Sequence, residues 1–417
     1  MKFRFVHAAD LHLDTPFEGI AKADERVAQA LKEASLSAFE ALIELAIDRH
    51  AEFLLLAGDI YDGTERGVRA QIAFLKGVRK ICERGIEVFV VRGNHDYTGG
   101  WSHLRDLPTR FHELPPAQVA SLPVQRDGKL LATVHGISYD RNEVTENLAL
   151  RFPRASAPGL NIGLLHCNVG DNAEHGRYSP CALDDLRAKG MGYWALGHVH
   201  RRQNLLEGNP WVVYPGNLQG RSPIEQGAKG AVVVEVENGQ VTDVEFAPLD
   251  RVRFTELKIP VGEIGDLAAL VDTLHDQAAR LRAEHEGRGL LVRVFLTGGG
   301  PVHDQLRPLD AVDGLLAALR KDSADAQPFL WWESLQDGTR PAIDMGAIRK
   351  RASDFSAEVL RAADALRESP AAYAKWAETH LEKALQRALP DPAGGKSAEI
   401  VEEALLRALE LLEDGGE

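Results

Sequence analysis

The chain has 417 residues, 44% of them hydrophobic, with a formal net charge of -14 and three cysteines. That length exceeds one ordinary core, so two or three packed domains are expected, and the acidic balance counts against holding nucleic acid by bulk charge. Cys82, Cys167 and Cys181 have no metal-type spacing and cannot all pair, which argues against a disulfide scaffold and suits a reducing cytosol.

In chain order, Met1-Lys2-Phe3-Arg4-Phe5 enters a strand directly. No apolar run reaches the roughly 18 residues that a spanning helix needs, so the expectation is a soluble, cytoplasmic protein without a membrane segment. Phe53-Leu54-Leu55-Leu56-Ala57, Val88-Phe89-Val90-Val91, Ile162-Gly163-Leu164-Leu165 and Tyr193-Trp194-Ala195-Leu196 read as buried strands, being short apolar runs bounded by Gly. Each is followed by metal-type ligands. Asp10-Leu11-His12 stands near the start, Asp59 follows the first of these runs, Asn94-His95-Asp96 the second, His166 the third, and Gly197-His198-Val199-His200 the fourth. Open α/β sheets keep their sites where strands emerge, so these residues are expected to cluster.

Two residues apart on an extended segment, Asp10 and His12 leave the same face, and His198 and His200 repeat the device. Carboxylates, imidazoles and one amide form a mixed shell that suits manganese or iron better than an all-oxygen magnesium or calcium cage, with zinc as the other alternative. Taken singly, Gly58-Asp59 or Gly93-Asn94 is an ordinary turn signal, and His7, His50, His103, His112, His135, His175, His275 and His285 read as satisfied polar residues. The ordered series is what singles out the others.

This series resembles the calcineurin-like metallophosphoesterase superfamily through about the first 250 residues. The resemblance implies an α/β (α+β) fold, a four-layer β-sandwich flanked by helices, and two divalent metal ions. It puts Asp10, His12, Asp59 and His200 on one ion, and Asp59, Asn94, His166 and His198 on the other. His95 looks like the catalytic histidine, with Asp96 orienting its ring. Two cations roughly 3.5–4 Å apart clamp a phosphate, and a protonated histidine can donate to the leaving alkoxide.

Gly63 follows Asp62 where protein Ser/Thr phosphatases carry Arg, and Asp96 follows His95 where they carry Glu, so that branch is disfavoured. His166-Cys167-Asn168-Val169-Gly170, Tyr178-Ser179-Pro180-Cys181 and Tyr214-Pro215-Gly216-Asn217 are similar to the SbcD and YhaO type of DNA repair exonuclease, Asn217 standing where relatives commonly have Ser. That type implies DNA as substrate and an SMC-like ATPase with a long coiled coil as partner; a second copy of the chain is a further expected partner. Arg141, Arg177, Arg201, Arg202 and Arg221 lie in loops near the ligand segments, where they either contact phosphates or are solvated surface.

Farther along, 231–236 and 241–246, joined by Asn238-Gly239, read as a hairpin closing the phosphoesterase domain, 1–250. A strand at 254–261, a helix from Leu267 to Leu281 after an Asp266 N-cap, a strand at 290–296, a helix at 309–319 and a strand at 329–333 make a small α/β capping domain, 251–340, resembling that of SbcD-type nucleases. One of Trp331 and Trp332 should face its core. Residues 341–417 form a helical C-terminal region; after Pro390, Pro392, Gly394 and Gly395 a last helix carries Val401, Leu405, Ala408 and Leu412 on one face, which either folds back on its own domain or docks a partner. A metal-dependent DNA exonuclease is the expected function, with a small-molecule phosphodiesterase or phosphatase and an inactive scaffold as alternatives.

Overall fold

The computed structural model describes residues 1–15, 17, 25–63, 67–97, 106–170, 176, 178–285, 287–351, 354–381 and 396–413. The chain divides into two compact units, one of 1–256 with 280–293 and 320–333, the other of 257–279, 294–319 and 334–417.

In the first unit the apolar runs become strands: β1 (Lys2–Ala8), β2 (Phe53–Ala57), β3 (Glu87–Val91), β4 (Phe111–Glu113), β5 (Ala120–Arg126), β6 (Lys129–Ile137), β7 (Leu160–His166), β8 (Tyr193–Gly197), β9 (Gln203–Leu206), β10 (Trp211–Tyr214), β11 (Gly230–Glu237) and β12 (Gln240–Pro248). They form two six-stranded sheets, ordered β12-β11-β1-β2-β3-β4 and β5-β6-β7-β8-β10-β9. β1 to β4 run parallel in the first, and β6, β7, β8 and β10 in the second. Parallel strands buried on both faces read as unbroken apolar runs, which is why the sequence shows them so plainly.

Alternation along each strand then sorts the side chains into layers. Phe5, Leu55, Phe89, Ile162, Leu164 and Tyr193 fill the space between the two sheets. Val6, Leu54, Leu56, Val88 and Val90 face the other way, under α1 (Glu25–Asp48) and α2 (Val68–Glu83), through Phe39, Leu42 and Phe74. On the far side of the second sheet, Leu165, Trp194 and Leu196 pack beneath a 3-10 turn at Leu148–Arg151 and the short α3 (Leu183–Arg187). The result is four layers, helices enclosing two sheets. Asn238 and Gly239, both in the left-handed region at φ 54° and 77°, close the β11–β12 hairpin.

β13 (Val252–Pro260), α4 (Leu267–Glu284), β14 (Gly289–Gly299), α5 (His303–Leu306), α6 (Ala311–Asp322) and β15 (Leu330–Arg340) follow, the strands forming a sheet in the order β13-β14-β15. Trp332 is fully buried and donates Nε1–H to Ser323 Oγ at 2.9 Å, while Trp331 lies under the Arg320 guanidinium, 4.5 Å from its ring centre. The adjacent pair thus splits between faces, as strand geometry requires.

In the second unit α7 (Met345–Lys350), α8 (Phe355–Glu368), α9 (Pro370–His380) and α10 (Lys396–Glu413) share a core of Ile348, Leu360, Tyr373, Val401, Leu405 and Leu409. Ser369 caps α9 by accepting from Ala372 N at 3.2 Å, and Pro370 occupies its first turn. The Val401 and Leu405 part of the α10 face is therefore covered within its own helical region, as in the fold-back alternative. Leu409 is buried in it, and Ala408 and Leu412 are only half-buried. Pro390, Pro392, Gly394 and Gly395 lie outside the described residues.

Candidate metal centre

Every candidate ligand sits at or just past the carboxyl end of a parallel strand: Asp10 and His12 after β1, Asp59 after β2, Asn94 after β3, His166 at the end of β7, and His198 and His200 after β8. The chain turns sharply at the exits of β1, β2 and β8. Asp10, His12, Asp59 and His198 have φ of 52°, 41°, 52° and 102°, the left-handed region that non-glycine residues seldom adopt. Such backbone costs on the order of 1–3 kcal/mol per residue and persists where surrounding contacts impose it. Here Asp10 N bonds Gly58 O at 3.1 Å and His12 N bonds Asp59 O at 3.1 Å, so the first two loops hold each other. Gly93 and Gly197 are close approaches: a Cβ on Gly93 would strike Asp59 Oδ1, and one on Gly197 would strike Ala57 O and stand 2.9 Å from His166 Nδ1.

The side chains then converge with lone pairs inward. His166 Nδ1 meets Ala57 O at 2.9 Å, so it carries the proton, and Nε2 is left facing Asn94 Oδ1 at 3.0 Å and Asp59 Oδ2 at 3.4 Å. Tyr139 OH donates to His166 O at 2.8 Å, fixing the strand end. His200 Nδ1 meets Glu225 Oε1 at 2.6 Å, which turns its Nε2 toward His12 Nε2, 3.2 Å away. Asp10 accepts His198 N at 3.1 Å, and its carboxylate groups with His12 and His200 on one side and with Asp59 and His166 on the other.

Oxygen and nitrogen lone pairs packed this closely repel unless a cation lies among them, and the electrostatics agree. Burial pushes the Asp10 carboxyl up to about 6 and holds the His12 imidazole well below its usual value. Burial also works against charge at Asp59 and His166, yet their mutual attraction prevails: His166 rises to about 9 and Asp59 falls below the carboxylate range. That pair asks for positive charge, which a proton supplies singly and a divalent cation doubly. His12 Nδ1 is buried with no hydrogen-bond partner among the described residues. A mixed carboxylate, imidazole and amide donor set of this kind fits borderline divalent metals.

His198 joins by ring contact, its centroid 5.3 Å from that of His166, and its Nε2 meets Gly176 O at 2.9 Å, which leaves Nδ1 as the nitrogen with a lone pair.

His95 stands at the rim, its side chain 39% exposed, with the ring edge-on to His12 at 5.1 Å. Its ring partner is Asp62, not Asp96. Asp62 Oδ1 lies 2.5 Å from His95 Nδ1, and that bond raises the imidazole above its usual value while lowering the Asp62 carboxyl. Asp96 is fully buried and spends both oxygens on backbone, accepting Gly93 N at 2.8 Å and Ile60 N at 2.9 Å. The expectation that it orients His95 is thus corrected: its side chain points back under the loops and ties the β2 and β3 exits together. Burial, with the charge of Asp59 behind it, pushes its carboxyl up to about 6.

Among the loop arginines, Arg221 donates to Asp62 Oδ2 at 2.8 Å, Arg141 pairs with Asp140 at 3.1 Å, Arg202 lies over the Phe246 ring at 5.3 Å, and Arg201 is exposed. Arg177 lies outside the described residues. The bystander histidines are held as polar residues are: His7 by Tyr193 OH and Leu196 O, His112 by Glu87, and His135 by Ser121 and Asn161. Cys167 packs in the core beside Cys181, sulfurs 3.9 Å apart. Sequence reasoning missed Glu225 and the role of Asp62. Asp62 was visible in Gly58-Asp59-Ile60-Tyr61-Asp62, whereas a single Glu in a Gly- and Ser-containing loop carries no signal.

Comparison with known proteins agrees with this geometry. Residues 3–202 match the family described as Calcineurin-like phosphoesterase, and residues 254–340 match the middle domain of metallophosphoesterase YhaO. The chain is 36% identical over 336 residues to the uncharacterized metallophosphoesterase YhaO of Bacillus subtilis, a match covering 80% of this chain and 81% of that protein. It is 23% identical over 268 residues to the DNA double-strand break repair protein Mre11 of Sulfurisphaera tokodaii, covering 60% of this chain and 63% of the relative. The Mre11 protein of Thermoplasma acidophilum is 23% identical over 321 residues, covering 68% and 77%. With the ligand series at the strand ends and these matches along most of its length, the chain belongs to the calcineurin-like metallophosphoesterase family, on its YhaO branch.

Proposed function

We propose that the protein is a metal-dependent DNA exonuclease that hydrolyses phosphodiester bonds with two divalent ions, manganese foremost, and that it acts in DNA repair with an SMC-like coiled-coil ATPase. The observation that carries the chemistry is the inward convergence of His166 Nε2, Asn94 Oδ1 and Asp59 Oδ2 beside that of His12 and His200, with His95 at the open rim. Divalent cations held there supply Lewis-acid activation of a phosphoryl group and of water. The side chains do the rest. Asp62 accepts the Nδ1 proton of His95, so Nε2 is the atom that delivers a proton to the departing oxygen. Asp10 is common to the two ligand groups, while Asp59 sets Oδ2 3.9 Å from His12 Nε2 and orients the acid's backbone, its Oδ1 accepting His95 N at 3.0 Å.

DNA as substrate is supported by the names of the Mre11 relatives. Against a long polyanion stand the net charge of -14 and the engagement of Arg221, Arg141 and Arg202 by Asp62, Asp140 and Phe246, which favour a second reading, a phosphodiesterase or phosphatase of small molecules. The deciding experiment supplies the full chain with Mn²⁺ and end-labelled DNA, cyclic nucleotides or a phosphomonoester, with and without a coiled-coil ATPase. Release of mononucleotides from DNA upholds the first reading; turnover confined to the small substrates upholds the second.

A further inference from the structure

The segment between β10 and β11 gathers contacts that reach both halves of the site. One carboxylate, Glu225, takes His200 Nδ1 on Oε1 at 2.6 Å, and Asn217 Nδ2 at 2.9 Å with Arg221 N at 2.6 Å on Oε2. Lys229 Nζ donates to His200 O at 2.9 Å from the other end of the segment. Arg221 carries the chain of bonds onward: its Nη1 donates to Asp62 Oδ2 at 2.8 Å, and Asp62 Oδ1 holds His95. Glu225 and Arg221 are 14% and 19% exposed, whereas Ile224 between them is 86% exposed. Inward-turned charge beside an outward-turned isoleucine marks polar contacts that hold this loop together with the buried Leu218 and Pro223.

Building on the phosphoesterase reading, we propose that Glu225 and Arg221 are positioning residues that join the metal ligand His200 to the proton donor His95 through one loop. A carboxylate on the outer nitrogen of a ligating histidine fixes the tautomer and the ring plane, and outer partners of this kind are typically worth about 10–100-fold in metal affinity. Glu225 does this for His200. Because the same carboxylate also holds the backbone of Arg221, loss of Glu225 frees the guanidinium that pins Asp62, and the acid loses its aim. Arg221, in contrast, donates to Asp62, and its positive charge near His12 opposes rather than helps a cation, so its loss leaves the metal in place.

The test uses the full chain as Glu225→Ala, Glu225→Gln, Arg221→Met and Arg221→Lys, with Ile224→Ser as the control in the same loop. Calorimetry with Mn²⁺ reads metal binding, and two phosphodiesters differing only in leaving group, nitrophenolate or a simple alkoxide, read the proton donor. Glu225→Ala is expected to bind Mn²⁺ about 10–100-fold more weakly and to lose more rate on the alkoxide substrate than on the nitrophenyl one. Glu225→Gln, which keeps the shape, shows the same pattern at smaller size and carries the test should the alanine variant unfold. Arg221→Met keeps wild-type Mn²⁺ affinity and loses rate selectively on the alkoxide substrate, with partial recovery in Arg221→Lys. Wild-type Mn²⁺ affinity in both Glu225 variants, or equal losses on the two substrates in Arg221→Met, overturns the proposal. A wild-type chain that binds Mn²⁺ but cleaves neither phosphodiester overturns the catalytic reading instead, and calorimetry still decides Glu225.

Discussion

His7 is a buried base in the strand that leads to the first ligands, and acid should expose what its burial costs. It is 0% exposed on β1, with Nδ1 3.0 Å from Tyr193 OH and Nε2 3.2 Å from Leu196 O, and burial lowers its pKa to about 3. An unfolded chain takes up this proton near pH 6.5, while the folded chain refuses it until about pH 3. The folded pKa is depressed, so the stability tied to neutral His7 is complete above 6.5 and drains away as pH falls. Each pH unit in that window costs about 1.4 kcal/mol, giving about 2 kcal/mol at pH 5 and almost nothing at pH 7.5. Equilibrium urea unfolding in chelator, on wild type and His7→Gln at both pH values, isolates the effect, because all other titrating groups are common to both chains. The stability difference between the chains should shift by about 2 kcal/mol in favour of the variant on going to pH 5. A difference that stays constant from pH 7.5 to 5 refutes the reasoning.

Asp62→Asn should lower the His95 pKa, since the Asp62 hydrogen bond is what raises it, so the alkaline limb of the kcat profile moves to lower pH; an unmoved limb counts against His95 as the acid. Gly197→Ala should abolish tight metal binding, because its Cβ would strike Ala57 O and crowd His166 Nδ1; elemental analysis showing full metal content rejects this. Leu405→Ala should cost about 2–5 kcal/mol by melting, as expected for a 2% exposed core leucine; a neutral effect would return α10 to the role of a partner-docking helix.

The strands and the exits that carry the candidate ligands were legible because parallel strands buried on both faces write themselves as apolar runs, and Gly-Asp and Gly-Asn mark where they stop. The hairpin at Asn238-Gly239 was legible for the same local reason. Asp96 misled because adjacency to His95 is a property of the chain, while its side chain is directed by the backbone donors of Gly93 and of Ile60, the latter 36 residues away in sequence and brought close by the sheet. Glu225 was invisible since its partner His200 is 25 residues away and no periodicity links them. For α10 the sequence offered Val401, Leu405, Ala408 and Leu412 as one stripe; only tertiary packing reveals Leu409 buried and α8 as the cover.

The left-handed turns at Asp10, His12, Asp59 and His198 bear on any attempt to rebuild this centre elsewhere. Copying the seven candidate ligand residues onto another scaffold at matching Cα positions would reproduce the chemistry of the donors but not their aim, because ordinary strand or helix backbone sends those side chains in other directions. What has to be transplanted is the set of strand exits, glycines included. Conversely, asparagine is the replacement for Asp10 or Asp59 that leaves the turn intact, as it tolerates this backbone where alanine or a β-branched residue does not. An asparagine variant therefore removes charge alone, and an alanine variant removes charge and turn together.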